Sequence, residues 1–209
     1  MTIKEIAGLL ESFLSPDSLS NAQLELVSKH LDLLLKWNSK INLTAVRSPQ
    51  EIVQRHFGES FFAARQIAKL VSIPSSAIDV GSGAGFPGVP LRMWLPEIKL
   101  MLIESNQKKA TFLREVIRAL NFADTEIFYD RAESLTTQAD LVTLRAVEQF
   151  DRVLSDASAL VKTGGDLLAM IGKDQIEAAK DSLPNYHWFE PIAIPLSDQR
   201  FGLIGKKHQ

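Results

Sequence analysis

The sequence has no cysteine, which excludes disulfides, thiolate zinc sites and thiol nucleophiles and fits a cytoplasmic protein. No apolar run is long enough to span a bilayer; the longest, around Leu31 to Leu35, is interrupted by charge. The opening MTIKEIAGLLESF carries acids and has no basic flank ahead of an apolar block, so it does not read as a signal peptide. Neither sign of charge dominates: 23 Lys and Arg stand against 25 Asp and Glu, a formal net charge of −2. That balance argues against nonspecific coating of nucleic acid and leaves room for a local basic face. Only four histidines are present, scattered along the chain, and no metal site is expected.

What remains is ordinary for a globular protein: 45% hydrophobic and 23% charged over 209 residues, enough for one good core. In the first seventy residues Leu24, Val27, Leu31, Leu34 and Ile41 recur mostly at three- and four-residue steps. So do Val53, Phe57, Phe61, Ala64, Ala68 and Val71. Ser48 before Pro49, with Glu51 following, marks the start of the second helix. From Ala77 the period changes. Short apolar runs (AIDV, KLMLIE, TEIFYD, ADLVTL, DLLAMI) alternate with helical stretches at Gln107 to Leu120, Glu148 to Val161 and Gln175 to Leu183. This alternation predicts an α/β fold, a mostly parallel sheet covered on both faces. Two last candidate strands, Trp188 to Leu196 and Phe201 to Gly205, leave no room for a helix between them and should pair antiparallel at one edge. The division expected is a helical cap over 1–72 and a sheet-based core over 73–209, within one structural domain.

The glycine-dense stretch AIDVGSGAGFPGVPL follows the first strand directly, where open parallel sheets bind ligands. Gly81, Gly83 and Gly85 alternate, but Phe86 stands where the dinucleotide fingerprint needs a glycine, and the lysine of a P-loop is missing. A nicotinamide dehydrogenase is therefore the weakest reading. Asp79 lies two residues before the first glycine, and Glu104 closes the next strand. A carboxylate there can accept both ribose hydroxyl protons, while glycines admit a nucleoside whose link carries no pyrophosphate. S-Adenosylmethionine answers that description, with Asp79 holding its ammonium directly or through water. Arg131, Ala132 and Glu133 follow the third strand, where an adenine edge would lie. Glu133 reads equally as a surface acid at a helix start.

Four segments carry a resemblance. NLTAVRSPQEIVQRHFGES (Asn42 to Ser60), IDVGSGAGFPGVPL (Ile78 to Leu91), FLREV (Phe112 to Val116) and LRAV (Leu144 to Val147) occur in the order found in one family. Over nearly its whole length the chain resembles the bacterial glucose-inhibited division protein B family, the small-subunit ribosomal RNA guanine-N7 methyltransferases. The resemblance implies a class I, Rossmann-like S-adenosylmethionine-dependent methyltransferase with a seven-stranded sheet, an antiparallel edge strand and an N-terminal helical extension. It implies methylation of N7 of one guanine in the 530 loop of 16S ribosomal RNA by a monomer. Carried over position by position, it assigns cofactor contacts to Gly81, Phe86, Ala132, Glu133 and Arg145, with Glu104 at the ribose. In strand five the family often has Lys-Gly; here the pair is Ile171-Gly172, with Lys173 next.

Guanine N7 carries a lone pair and no proton, so methyl transfer to it needs alignment and no general base. The sequence agrees: the strand-four segment reads LRAVEQF rather than the amine-methylating D/N-P-P motif. Arg145 closes an apolar strand, where a charge is costly unless paired. It can fork onto guanine O6, hold the cofactor carboxylate, or simply pair with Glu148 or Asp79. His56 with Arg55 can line the cleft or serve structure; Asn42, Thr44 and Arg47 can cap the helix junction or touch RNA. Candidate RNA contacts are Arg47, Arg55, Arg92, Lys108, Lys109, Arg114, Lys173, Arg200, Lys206 and Lys207. Trp37, Trp94 and Trp188 can stack a flipped base but more often form core. Two other functions stay open: a methyltransferase for another RNA or a small molecule, and a nonenzymatic ribosome-assembly factor.

Overall fold

A computed structural model describes residues 1–70 and 72–208. The chain begins with helices α1 (Ile3–Leu14) and α2 (Asn21–Asn38), each opened by a capping box, Thr2 with Glu5 and Ser20 with Gln23. The second expected helix starts as predicted: the Ser48 hydroxyl accepts from the Glu51 amide, and Pro49 opens α3 (Pro49–Ile52). It is not one regular helix, however. A π-helical stretch (Val53–Gly58) separates α3 from α4 (Glu59–Ile67). Such a stretch inserts a residue into the helical register, a device frequent at functional sites. Val71, the last position read into this helix, lies outside the described residues.

The alternating part follows. Its elements are β1 (Ser76–Val80), α5 (Gly88–Trp94), β2 (Lys99–Ile103), α6 (Gln107–Leu120), β3 (Thr125–Phe128), β4 (Ala139–Arg145) and α7 (Phe150–Ala159). Then come β5 (Val161–Gly172), α8 (Ile176–Ser182), β6 (Tyr186–Trp188), β7 (Ile192–Ala193) and β8 (Arg200–Lys207). The bounds of α6 match those read from the sequence, because both ends are chemically marked. Asn106 accepts from the amides of Lys108 and Lys109, and Asn121 closes the helix in the left-handed region at φ 55°.

The described strands form one eight-stranded sheet in the order β3-β2-β1-β4-β5-β8-β6, with β7 also pairing to β8. Strands β1 to β5 run parallel, and β8 is antiparallel to β5. Two details differ from the sequence reading. The late strands pair antiparallel at one edge as expected, but as three: β6 and β7 both pair onto β8, which sits between β5 and β6, giving eight strands where seven were expected. Strand β5 also starts five residues before Asp166, running through Gly164 and Gly165 past an irregularity in the β4 pairing. Gly164, at φ +73°, and Gly165 lie within that irregular stretch.

Strand alternation divides the core between the two sheet faces. Ala77, Leu100 and Leu102 pack with Phe57, Phe61, Phe112 and Leu113 from α4, the π stretch and α6. Ile78, Val80, Val142 and Leu144 pack with Leu154, Ala157 and Ala179 from α7 and α8. Asp79 shares the face of Ala77 and is fully buried. It lies opposite Thr143 in the β1–β4 register, and its Oδ1 accepts from that hydroxyl at 2.7 Å. Oδ2 accepts from the Gly88 amide at 3.2 Å.

Gly88 leaves room for that contact. A Cβ there would meet Leu102 Cδ2 at 2.6 Å and Asp79 Oδ2 at 2.8 Å. Gly88→Ala should cost about 1–3 kcal/mol by overpacking. Gly8→Ala, on an exposed helical face with nothing within 4 Å, should gain about 0.5–1 kcal/mol. Urea denaturation of both variants measures the contrast, and equal stabilities would contradict the assigned packing.

Candidate active site

The glycine loop leaves β1 at the carboxyl end of the sheet. Gly81, Gly83 and Gly85 all have positive φ, +69°, +55° and +89°. At Gly81 a Cβ would strain the backbone and approach Val147 Cγ1 at 3.1 Å, so the bare backbone forms a cleft wall. The Gly83 amide donates to Glu104 Oε2 at 3.0 Å and the Asn106 amide to Oε1 at 2.8 Å. Glu104, 7% exposed, is thereby fixed at the end of β2, with its carboxylate facing a cleft of about 560 Å³. Gly81, Ala132, Glu133 and Val147 line the same cleft. Glu133 stays at its edge, its carboxylate drawn to Arg152 at 2.7 Å.

A second cleft, of about 300 Å³, lies between the sheet end and the helical segment. Arg55, His56, Glu59, Arg145 and Arg200 line it together with apolar Phe150 and Ile194. The two clefts share Ala146 and Val147. Ala146 follows β4 in the left-handed region at φ 48°, a strained conformation of the kind that gathers at functional sites.

Arg145 occupies this second cleft and not the first. It pairs with neither Glu148 nor Asp79. One terminal nitrogen donates to Glu59 Oε2 at 2.8 Å and to the Arg55 carbonyl at 2.6 Å. The other reaches the His56 carbonyl and the Ser60 hydroxyl only at 3.4 Å. Those two carbonyls belong to the π stretch. Burial lowers the pKa of Arg145 and Glu59 opposes the shift, so the buried guanidinium depends on its partner.

Two residues assigned to the cofactor, Asp79 and Phe86, are buried and do not line the larger cleft. Each carboxylate oxygen of Asp79 accepts a hydrogen bond inside the core. Strand alternation turned it under the loop. Phe86 also turns inward, 7% exposed. Its ring stacks on His30 at 5.2 Å and on His56 at 5.1 Å, with Phe57 edge-on. Gly83 serves through its amide to Glu104 and lines neither cleft.

The other candidates divide similarly. Thr44 Oγ1 lies 2.7 Å from His56 Nε2, and Arg47 bonds Asn42 and the Asn38 carbonyl, closing the helix junction. Arg92 lies over the Phe122 ring, Lys206 bonds Asp166, and Lys207 caps the Ser158 and Val161 carbonyls. Arg55 and Arg200 line the smaller cleft and Lys109 the larger, with exposed Lys173 just after β5. Trp37, Trp94 and Trp188 line neither of these clefts. Glu59, missed from the sequence, is the most connected acid of the smaller cleft. Its only signal is its place three residues after His56, where a helix-surface acid looks the same.

The fold is that of class I methyltransferases. A ribosomal protein L11 methylase from Lactobacillus delbrueckii subsp. bulgaricus superposes with a TM-score of 0.62 at 12% identity, covering 75% of this chain and 80% of that one. A SAM-dependent methyltransferase from Aquifex aeolicus superposes at 0.59 and 14% identity, covering 77% and 94%. The family model described as rRNA small subunit methyltransferase G matches residues 23–190, and the chain belongs to that family. Relatives named ribosomal RNA small subunit methyltransferase G agree. The one from Xanthomonas axonopodis pv. citri is 37% identical over 98% of this chain and 93% of its own length. That from Chloroflexus aggregans is 35% identical over 87% and 81%. Among the described residues no helix is long and apolar enough to cross a membrane.

Three buried groups beneath the clefts set a pH dependence. Burial lowers His30 to about 4 and His56 to about 3, the latter also facing Arg145. Burial raises Asp79 to about 6 against its hydrogen bonds. The histidine contributions are full above the unfolded value near 6.5 and are lost as pH falls through 4 and 3. The Asp79 contribution runs the other way, full below about 3.8 and lost as pH rises through 6. Two histidines outweigh one carboxyl, so stability should fall between pH 7 and pH 5 by more than about 1 kcal/mol. In Asp79→Asn the fall should be steeper. Urea titration at both pH values reads this; a wild-type stability that rises toward pH 5 would contradict it.

Proposed function

We propose that the protein transfers a methyl group from S-adenosylmethionine to N7 of a guanine in the 530 loop of 16S ribosomal RNA. It would act as a cytoplasmic monomer on the small ribosomal subunit. The observation that carries the reading is the meeting of two clefts at Ala146–Val147. The larger fits a nucleoside and the smaller fits a purine with hydrogen-bond acceptors. Family membership supports ribosomal RNA as the substrate.

The larger cleft suits the methyl donor on its own geometry. Glu104 keeps its carboxylate open to the cleft while two amides fix its direction, so it can accept from both ribose hydroxyls. Gly81 offers backbone with no side chain in the way. Ala132 and Glu133 bound the far end, where an adenine edge would rest. When bound, the donor supplies an electrophilic methyl on a sulfonium. The protein's work is then to hold the acceptor in line and keep its N7 lone pair unblocked.

Arg145 suits the acceptor better than the donor's carboxylate, since it lies in the smaller cleft. Its loosely bonded terminal nitrogen, with partners at 3.4 Å, can turn to guanine O6 at little cost. His56 stays neutral at pH 7 because burial holds its pKa low, and no proton transfer is required of it. Phe150 gives an apolar side to the same cleft. The helical cap, 1–72, thus supplies one wall of the acceptor site and the core, 73–209, the other, the two working as one domain. Arg55 and Lys173 give a basic rim for RNA phosphates, too small for tight binding of naked RNA.

Labelled S-adenosylmethionine with small subunits lacking the modification should yield one labelled guanine, methylated at N7 and in the 530 loop. Label in another RNA, or none, would reject the reading. Glu104→Gln should weaken S-adenosylmethionine binding about tenfold or more by calorimetry, because one ribose hydroxyl loses a charged acceptor. Arg145→Lys retains charge but loses the fork, and turnover should fall about 100-fold. Normal turnover by that variant would remove Arg145 from the acceptor site.

A further inference from the structure

Glu59 is buried, its side chain 2% exposed, and it joins three elements. From the start of α4 its Oε2 accepts from Arg145 on β4 at 2.8 Å, and its Oε1 accepts from Arg200 on β8 at 2.8 Å. All three line the smaller cleft. A buried carboxylate between two guanidinium groups is a weak way to gain stability, since apolar packing commonly serves as well. Its charge points to a different use.

We propose that Glu59 is the counter-charge of the acceptor cleft, a positioning residue that offsets Arg145 and Arg200 while positive charge arrives on the base. The inference rests on the methyl transfer proposed above. In that reaction the N7 lone pair forms the new N–CH3 bond as the S–CH3 bond breaks, and the S–C electron pair stays on sulfur. A sulfonium and a neutral guanine become a thioether and a purinium cation. One unit of positive charge therefore moves from the larger cleft into the smaller.

Arg145 there helps to hold an electron-rich guanine, and together with Arg200 it opposes the cation the base becomes. Arg55 at the rim is offset by Glu51 at 3.1 Å, and His56 is uncharged. Asp79 also acts on Arg145 electrostatically but spends its hydrogen bonds in the core, on Thr143 and Gly88; Glu59 is the acid that touches both Arg145 and Arg200. With it the three groups sum to one positive charge; without it they sum to two, directly beside the forming cation. At protein-like dielectric, unit charges a few ångströms apart are worth several kT, so this difference reaches the barrier rather than the binding step. Substrate RNA, being anionic, would be held no less well by the more positive cleft.

The variants Glu59→Gln and Glu59→Gln/Arg200→Gln separate this from a simple cross-link. Single-turnover methylation of unmodified small subunits should be about tenfold or more slower in Glu59→Gln. KM for the subunit should stay unchanged or fall. The double variant restores the charge balance and lets two amides face each other, and it should recover most of the lost rate. A structural cross-link predicts the opposite order, with the double variant worse. A wild-type rate in Glu59→Gln, or no recovery in the double variant, overturns the inference. Should the single variant not fold, the double variant decides. A rate within about fivefold of wild type supports the counter-charge, and a larger loss overturns it. A wild-type protein that methylates no guanine overturns the functional reading along with this inference, whereas an active wild type with an equally active Glu59→Gln overturns this inference alone.

Discussion

The buried carboxyl of Asp79 is the joint on which the site is assembled. One oxygen accepts from Thr143 on β4 and the other from the Gly88 amide at the head of α5. The Asp79 carbonyl also accepts from the Ser82 hydroxyl at 2.9 Å. Three chain segments are thereby fixed around one side chain: the two central strands and the far end of the glycine loop. The raised pKa, about 6, says that desolvation outweighs the hydrogen bonds. The group remains ionised at pH 7, where charged bonds are short and directional. With the loop fixed at both ends, the Gly83 amide meets Glu104 and the Gly81 backbone faces the cleft.

The second constraint is the junction between the helical segment and the sheet. The Arg55 and His56 carbonyls of the π stretch lie within reach of β4, where the Arg145 guanidinium donates to both across the junction. A regular helix at this point would direct those carbonyls along its own axis, onto its own amides. Arg145 and Arg200 come from strands, and their shared acid comes from α4. Neither part alone builds the smaller cleft. The same junction carries the His30–Phe86–His56 stack, so the loop after β1 is packed from above by the helices and held from below by Asp79.

Much of this was legible in the residues, for identifiable reasons. Asn106 and Asn121 mark the ends of α6, and Ser48 with Pro49 marks the start of α3. Glu104 was readable because a lone acid closing an apolar strand before a helix cap has few other uses. The burial of Asp79 is not legible, because its distance from the glycines in sequence says nothing about which sheet face it takes; alternation sets it on the face of Ala77, opposite Ile78 and Val80. The stacking of Phe86 on the His30 and His56 rings is likewise not legible, since the three positions lie far apart in the chain. The π stretch leaves the three- and four-residue spacing of apolar residues almost intact, so periodicity could not reveal it. Glu59 and Arg200 lie 141 positions apart, and nothing local links them. The parallel strands as far as β5 are visible as alternating apolar runs; their order in the sheet, and the placing of β8 inside β6, depend on long-range pairing that no short pattern encodes.

In the proposed reaction a methyl donor, held by its sugar on Glu104, would meet a purine across Ala146–Val147. A crystal structure with S-adenosylhomocysteine bound tests this most directly. It should show both ribose hydroxyls on the Glu104 carboxylate and the sulfur directed toward Ala146 and Val147, facing the cleft that holds Arg145. A ligand seated in the smaller cleft, or a Glu104 turned away from the sugar, would contradict it.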